Sequence, residues 1–473
     1  MLKILADGLA RTCEGYTRRE FLSIGTLGFG GLSLAHLLAG RAQGANWAQA
    51  VRDKAVVMLN MQGGPTQVET FDPKMTAPQE YRAMFGETKT VLPGVSFGSH
   101  FQELARLADR LAVVRSYRHG ISSHGTAAKH VAAGGNNTGA TMGTLYARVA
   151  GVTNGQTGIP NNSVVIPAAI DEKYSSFNAV PSRVTDTGSL PSFYKAFDPS
   201  AGGEIVENMA LQLPERRFGE RRALLSRLDR LKRHIDGSGV LASADAFQQQ
   251  AFDAIFGGIA EAFDIDREAP RLVDRYDTSM FKVPDRLLRK RKQKRSSGVA
   301  GHSPVSLGKQ MLMARRLVEA GCGFVTVTSA GWDMHGAHEF DIADGMPILG
   351  PAVDKAVSAF LEDLEERGLS EKVLLVITGE FGRTPKINNN LGRDHWGNLC
   401  TLAFAGGGLP MGQVIGQSDK YASEPASEPV SSGQVLATIM HVLLDIGEVR
   451  LLPGIPNDVL TVLTNSEPIS QLM

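Results

Sequence analysis

The chain has 473 residues with 49 basic and 49 acidic side chains, so its formal charge is zero and charge gives no argument for nucleic acid or anionic lipid. Three cysteines exclude a disulfide framework, while an apolar share of 42% allows a sizeable core. The length exceeds one small domain but suits one large α/β domain with insertions.

At the N-terminus, Thr17-Arg18-Arg19-Glu20-Phe21-Leu22 precedes an apolar, Gly-rich run from Ile24 to Ala39 and a small-residue zone ending near Ala45. This is the order of charged region, apolar region and cleavage zone. Gly25, Gly28, Gly30 and Gly31 would weaken a structural helix. The run also falls short of the roughly 20 residues of a stable membrane span. The paired arginines followed by Phe-Leu resemble a twin-arginine export signal. Residues 1–45 are therefore expected to be a signal peptide, with the export machinery as partner and a periplasmic or extracellular destination. The mature domain would cover 46–470.

Ala55 to Met61 reads as a buried strand, closed by Gln62-Gly63-Gly64-Pro65. Phe101 to Leu111 has helical spacing, and Ala112 to Arg115 reads as a short strand. A histidine-rich stretch follows, with His119, Ser122, Ser123 and His124 before Gly125 and Thr126. Ser163 to Pro167 is a further strand. From about 202 to 300 the texture is that of a helical insertion on the sheet. Its basic run from Lys282 to Arg295 reads as a solvated loop and not as a nucleic-acid surface.

The core pattern then resumes. Leu307 to Ala320 is an amphipathic helix ended by Gly321, and Cys322 to Thr328 is a strand leading into Gly331-Trp332-Asp333-Met334-His335-Gly336. Met346 to Arg367 is a long helix. Val373 to Ile377 is a β-branched, fully apolar strand that breaks at Thr378-Gly379, leaving Glu380 at its carboxyl end. Thr401 to Ala405 and Gly433 to Leu444 complete the set as strand and helix. Alternating strands and helices predict an α/β fold: a mostly parallel sheet with helices on both faces.

Three strand-end loops carry coordinating side chains: Asp333 with His335, Glu380, and Asp394 with His395. Ligand sites of open α/β sheets lie at such carboxyl ends. Imidazole and carboxylate together suit a divalent metal, Zn first, with Mn or Ca as alternatives. Taken singly, each pair also reads as a capping Asp or a hydrogen-bonded loop histidine; their convergence is what points to a metal. Arg383 would bind an anionic substrate group or pair with Asp394 or Glu380. His124, at a helix start, could reach a ligand. His130 reads as structural, and Trp332 and Trp396 as packing.

The segments RREFL, LNMQGGPTQVETFDP, MLMARRLVEAG, GWDMHG, TGEFGRTPK and GRDHWG, in this order, resemble the domain-of-unknown-function family numbered 1501. That family is similar to the alkaline phosphatase and sulfatase superfamily. The resemblance implies an alkaline-phosphatase-like central sheet with metal ligands at its strand ends and hydrolysis of phosphate or sulfate esters, with a small-molecule or glycan ester as partner. Against the superfamily pattern, Gln62 stands where the first strand ends in a metal-binding aspartate, and Glu380-Phe381 stand for an Asp-His pair. His124 falls at the nucleophile position, which implies a role as further metal ligand, general base or nucleophile, and no C-x-P-x-R signature is present. These departures raise the alternative of a non-catalytic envelope or glycan-binding protein on the same fold.

Overall fold

The computed structural model describes residues 47–171, 181–198, 200, 259–284, 287, 303–336 and 340–473. The expected signal peptide, most of the expected helical insertion and most of the basic run lie outside them.

Among the described residues eleven strands occur in chain order: β1 Ala55–Gln62, β2 Glu87–Lys89, β3 Ser96–Gly98, β4 Leu111–Val114, β5 Asn162–Val165, β6 Phe324–Ala330, β7 Val373–Gly379, β8 Gly382–Arg383, β9 His395–Trp396, β10 Leu402–Gly406 and β11 Gln413–Ile415. Seven form one sheet in the order β11-β4-β10-β7-β1-β6-β5. β1 has parallel partners on both sides: Leu59 lies beside Val327 of β6 and Ile377 of β7. β10 alone runs antiparallel, against β7 and β4. The sheet is thus mixed and mostly parallel, as the alternating pattern predicts.

Both sheet faces are covered, which is why the central strands read as unbroken apolar runs rather than alternating ones. One face packs Val57, Leu59, Met61, Leu375 and Ile377 against the helices Ser303–Glu319 and Ile342–Glu366. The opposite face packs Val56, Met58, Leu374 and Val376 with residues of the helices His124–Ala133, Met142–Ala150 and Ser432–Leu443. Toward the carboxyl ends of β1, β6 and β7 this second face turns polar, with Asn60, Thr328, Thr378 and Glu380 all buried. No described helix is long and apolar enough to cross a membrane.

The long helix begins at Ile342, four residues before the expected start, with Pro347 and Pro351 inside it. Asp341 makes the earlier start, its carboxylate accepting from the Asp344 N–H at 2.7 Å. The segment expected as one helix to Leu111 is shorter: helix Gln102–Arg106, a 3-10 turn at Ala108–Arg110, then β4 from Leu111. Cys322 and Cys400 are buried free thiols.

Candidate metal centre

Because β1 lies between β6 and β7, the loops leaving these three strands meet. Gly63, just past β1, makes the meeting tight. Its φ is +108°, and a Cβ there would stand 2.3 Å from the Asp333 nitrogen. Gly64 has φ +88° and abuts the Phe381 ring. Side chains are excluded from this corner by both backbone conformation and space.

Asp333 sits at the centre. Its Oδ1 accepts from Arg383 Nη2 at 2.6 Å and lies 3.1 Å from His395 Nε2. Its Oδ2 lies 3.3 Å from His124 Nε2 and 3.4 Å from His335 Nε2. Burial alone would push this carboxyl up, but three imidazoles and a guanidinium hold it well below the usual carboxylate range. It stays ionised. His124 lies between two carboxylates, with Nδ1 against Glu380 Oε1 on its other side. Burial lowers its basicity, yet hydrogen bonds to Asp333 and Glu380 outweigh that and raise its pKa to about 9.

The surrounding groups fix these donors. Glu380 is fully buried, and its Oε1 also accepts from the Gly63 N–H at 2.9 Å. His395 Nδ1 lies 3.1 Å from the Ser122 carbonyl. Phe381 packs its ring against His124 and His395, with centroids 5.0 and 4.7 Å away. Arg183, on the short helix Pro181–Val184, brings Nη1 to 3.8 Å from Glu380 Oε2, and its side chain stays 36% exposed.

The expected residues divide by position. His124, Asp333 and His395 present donor atoms that all lie within 4.8 Å of one another. His335 stands beside Asp333. Glu380 is at the centre but turned toward His124. Asp394 is exposed and accepts from Asn388 Nδ2 at 3.0 Å, outside the group. Its neighbour His395 starts β9, and successive side chains of an extended strand point to opposite sides, so the pair does not face one ion together. Arg383 does not reach out to a substrate: its guanidinium is buried and donates to the Gly63, Gly64 and Arg393 carbonyls as well as to Asp333. It braces Asp333 to the β1 loop.

The other histidines lie apart. His130 Nε2 is 3.1 Å from Ser432 Oγ, while His119 accepts the Ile121 N–H at Nδ1 and faces Cys400 Sγ with Nε2 at 3.4 Å. Trp332 is fully buried, and Trp396 Nε1 donates to the Ser423 carbonyl at 2.6 Å. Two partners escaped the sequence reading. Arg183 lies in no motif, and the Ser122 carbonyl, being backbone, has no residue signature.

Two imidazoles and one ionised carboxylate fit a borderline divalent ion such as Zn²⁺, and three protein donors leave a further position open. A buried arginine, Arg383, and a second buried carboxylate, Glu380, stand beside them.

The family described as "Protein of unknown function (DUF1501)" matches residues 53–457. No curated protein matches the chain. Among solved structures, the PsFucS1 sulfatase from Pseudoalteromonas sp. is similar at 13% identity and a TM-score of 0.35, over 84% of this chain and 68% of that one. Ps i-CgsB in complex with k-i-k-neocarrahexaose gives 10% and 0.37, over 88% and 78%. The alkaline phosphatase from the Antarctic bacterium TAB5 gives 10% and 0.30, over 83% and 98%.

Proposed function

The chain belongs to the DUF1501 family, and from the chemistry of its strand-end loops we propose a metal-dependent hydrolase of phosphate or sulfate esters. The observation that carries this reading is the convergence of His124, Asp333 and His395 within 4.8 Å at the carboxyl ends of a parallel sheet. A bound divalent ion would supply Lewis-acid polarisation of an ester oxygen. The chain's own residues hold and orient. Arg383 fixes Asp333, Glu380 holds His124, and Phe381 covers one side of both imidazoles. Arg183 is the half-exposed cation next to this group, and it matches the negative charge of such an ester.

Metal content of the purified full chain tests the reading. A stoichiometric divalent metal in wild type, lost in Asp333→Ala and His395→Ala, is the expected result. Wild type without metal, and without turnover after addition of Zn²⁺, Mn²⁺ or Ca²⁺, sinks it. Arg183→Ala should then raise KM for an anionic ester about tenfold while leaving metal content intact, a loss expected for one charge-assisted contact of ~1.4 kcal/mol.

A non-catalytic binding protein is the second reading. It is favoured by Phe381, an apolar ring packed on His124 and His395, and by Gln62, whose side chain is buried without a hydrogen-bond partner. Saturable binding of a sulfated oligosaccharide by metal-loaded protein, with no turnover at any pH, would favour it. Export by the twin-arginine route is proposed from Arg18 and Arg19 with Phe21-Leu22 and the apolar, Gly-rich run that follows. Replacing both arginines by Lys should leave the folded protein in the cytoplasm, and unchanged export would remove this part of the proposal.

A further inference from the structure

Both metal-facing imidazoles have a second ring nitrogen, and both of those nitrogens meet an acceptor. The Ser122 carbonyl can only accept, so His395 Nδ1, 3.1 Å away, carries the proton. Glu380 Oε1 already accepts from the Gly63 N–H, and on the same oxygen it takes the Nδ1 of His124. In each ring Nε2 is then the atom turned inward, to Asp333 Oδ2 for His124 and to Asp333 Oδ1 for His395. One carboxylate thus has an imidazole Nε2 facing each of its oxygens, and the outer acceptors decide it. Ser122 is itself held, its Oγ accepting from the Gly397 N–H at 2.9 Å on the loop that carries His395.

We propose that Glu380 is a positioning residue rather than a metal ligand, and that Glu380 with the Ser122 carbonyl sets both histidines to present Nε2, building a nitrogen-rich site selective for Zn²⁺-like ions over Mg²⁺ and Ca²⁺. The inference rests on the metal-site reading above. Its physical basis is that an acceptor on the far nitrogen fixes tautomer and ring orientation and strengthens the near nitrogen as a donor. Imidazole donors suit zinc and its transition-metal neighbours, whereas Mg²⁺ and Ca²⁺ take oxygen. With Glu380 engaged by the far nitrogen of His124, one carboxylate remains for the ion, too few for a hard cation.

The experiment is a chelator competition with Zn²⁺, Mg²⁺ and Ca²⁺ on the full chain, in wild type, Glu380→Gln and Glu380→Ala, with thermal unfolding run alongside. Glu380→Ala is expected to weaken Zn²⁺ binding by roughly 10–100-fold at unchanged stoichiometry, and Glu380→Gln, which still accepts through its amide oxygen, to recover most of that. Equal loss in both variants, with reduced stoichiometry, would make Glu380 a ligand and overturn the assignment. Mg²⁺ or Ca²⁺ binding as tight as Zn²⁺ would overturn the selectivity.

A second measurement needs no metal and covers the case in which Glu380→Ala fails to fold. ¹⁵N spectra of histidine-labelled, metal-free protein, in alkaline buffer where imidazoles are neutral, should show His124 and His395 with the proton on Nδ1. Protons on Nε2 would refute the positioning role. Wild type that binds no metal but keeps the Nδ1–H signature would fault the metal reading alone.

Discussion

Gly63 is where single-residue chemistry is most constrained. Its N–H serves Glu380, its carbonyl takes Arg383, and its Cα faces the Asp333 backbone. Gly63→Ala would combine a left-handed φ with a 2.3 Å approach to a backbone atom that cannot yield. The expected cost is on the order of 3 kcal/mol, seen as a lowered unfolding midpoint together with weakened Zn²⁺ binding. His119, which also meets the Glu380 backbone, offers a pH test on a histidine outside the donor set. Burial, with His130 nearby, pushes its pKa from 6.5 to about 4. A depressed histidine gives stability that is fully present above pH 6.5 and is lost as pH falls toward 4, because the unfolded chain takes up the proton first. The loss should reach at most about 3 kcal/mol. His119→Gln should flatten that part of the stability profile of metal-free protein; a parallel profile would show that the imidazole does not titrate with unfolding. At this scale the sequence was legible only in part. Asp333, His335, Glu380 and His395 could be named because strand ends announce themselves through Gly and a stop in the apolar run. The roles of Arg383 and Asp394 could not, because which way a loop side chain turns depends on its tertiary partners.

Among elements, helices are held partly by side chains from elsewhere in the chain. Asp354, inside the helix Ile342–Glu366, accepts from the Glu103 and Leu104 N–H groups at 2.9 and 2.8 Å. It thereby caps the five-residue helix Gln102–Arg106, whose own N-cap position is Phe101, with no capping side chain. Asp354→Ala should cost roughly 2–3 kcal/mol by leaving two backbone donors unpaired, and Asp354→Asn, which keeps one acceptor, about half. Urea unfolding at neutral pH measures both. Element type was readable from apolar runs in β1, β6 and β7, since strands covered on both faces cannot alternate. Element ends were less so. Pro347 resembles a first helical residue, yet Asp341 starts the helix earlier and the proline lies within it.

Across the whole molecule, the two helices covering the first sheet face are joined to the segment before them by a buried charge network. Arg315 is 1% exposed and lies 2.9 Å from Asp363, 2.7 Å from Glu268 and 2.6 Å from Glu319. Tyr276 adds its hydroxyl to Asp363 at 2.9 Å. Arg315→Ala leaves Asp363 to Arg367 and Tyr276, and Glu268 to Arg316 and Arg367, so it should destabilise by about 1–3 kcal/mol through the lost charge-assisted bonds. Arg267→Ala, which breaks the exposed pair with Glu261, should leave the unfolding midpoint unmoved. Calorimetry on both variants separates a working network from a decorative one. The architecture itself was the most legible level, because alternation of strand and helix along the chain admits few arrangements. The antiparallel run of β10 between β7 and β4 was not legible, since direction in a sheet follows from connections rather than from strand composition.

The place of β1 bears on how the chain is made. Among the described strands of the sheet it is the first to leave the ribosome, and both of its edges wait for partners that begin at Phe324 and Val373. During most of synthesis an eight-residue ribbon, AVVMLNMQ, apolar up to Leu59, has its hydrogen-bonding groups unclaimed on both sides. Nascent chains stopped before residue 373 should therefore depend on holdase chaperones and be cleaved rapidly by protease. Full-length chains should become resistant in one step, when β7 slides in beside β1 and the ends of both strands bring Glu380 to His124.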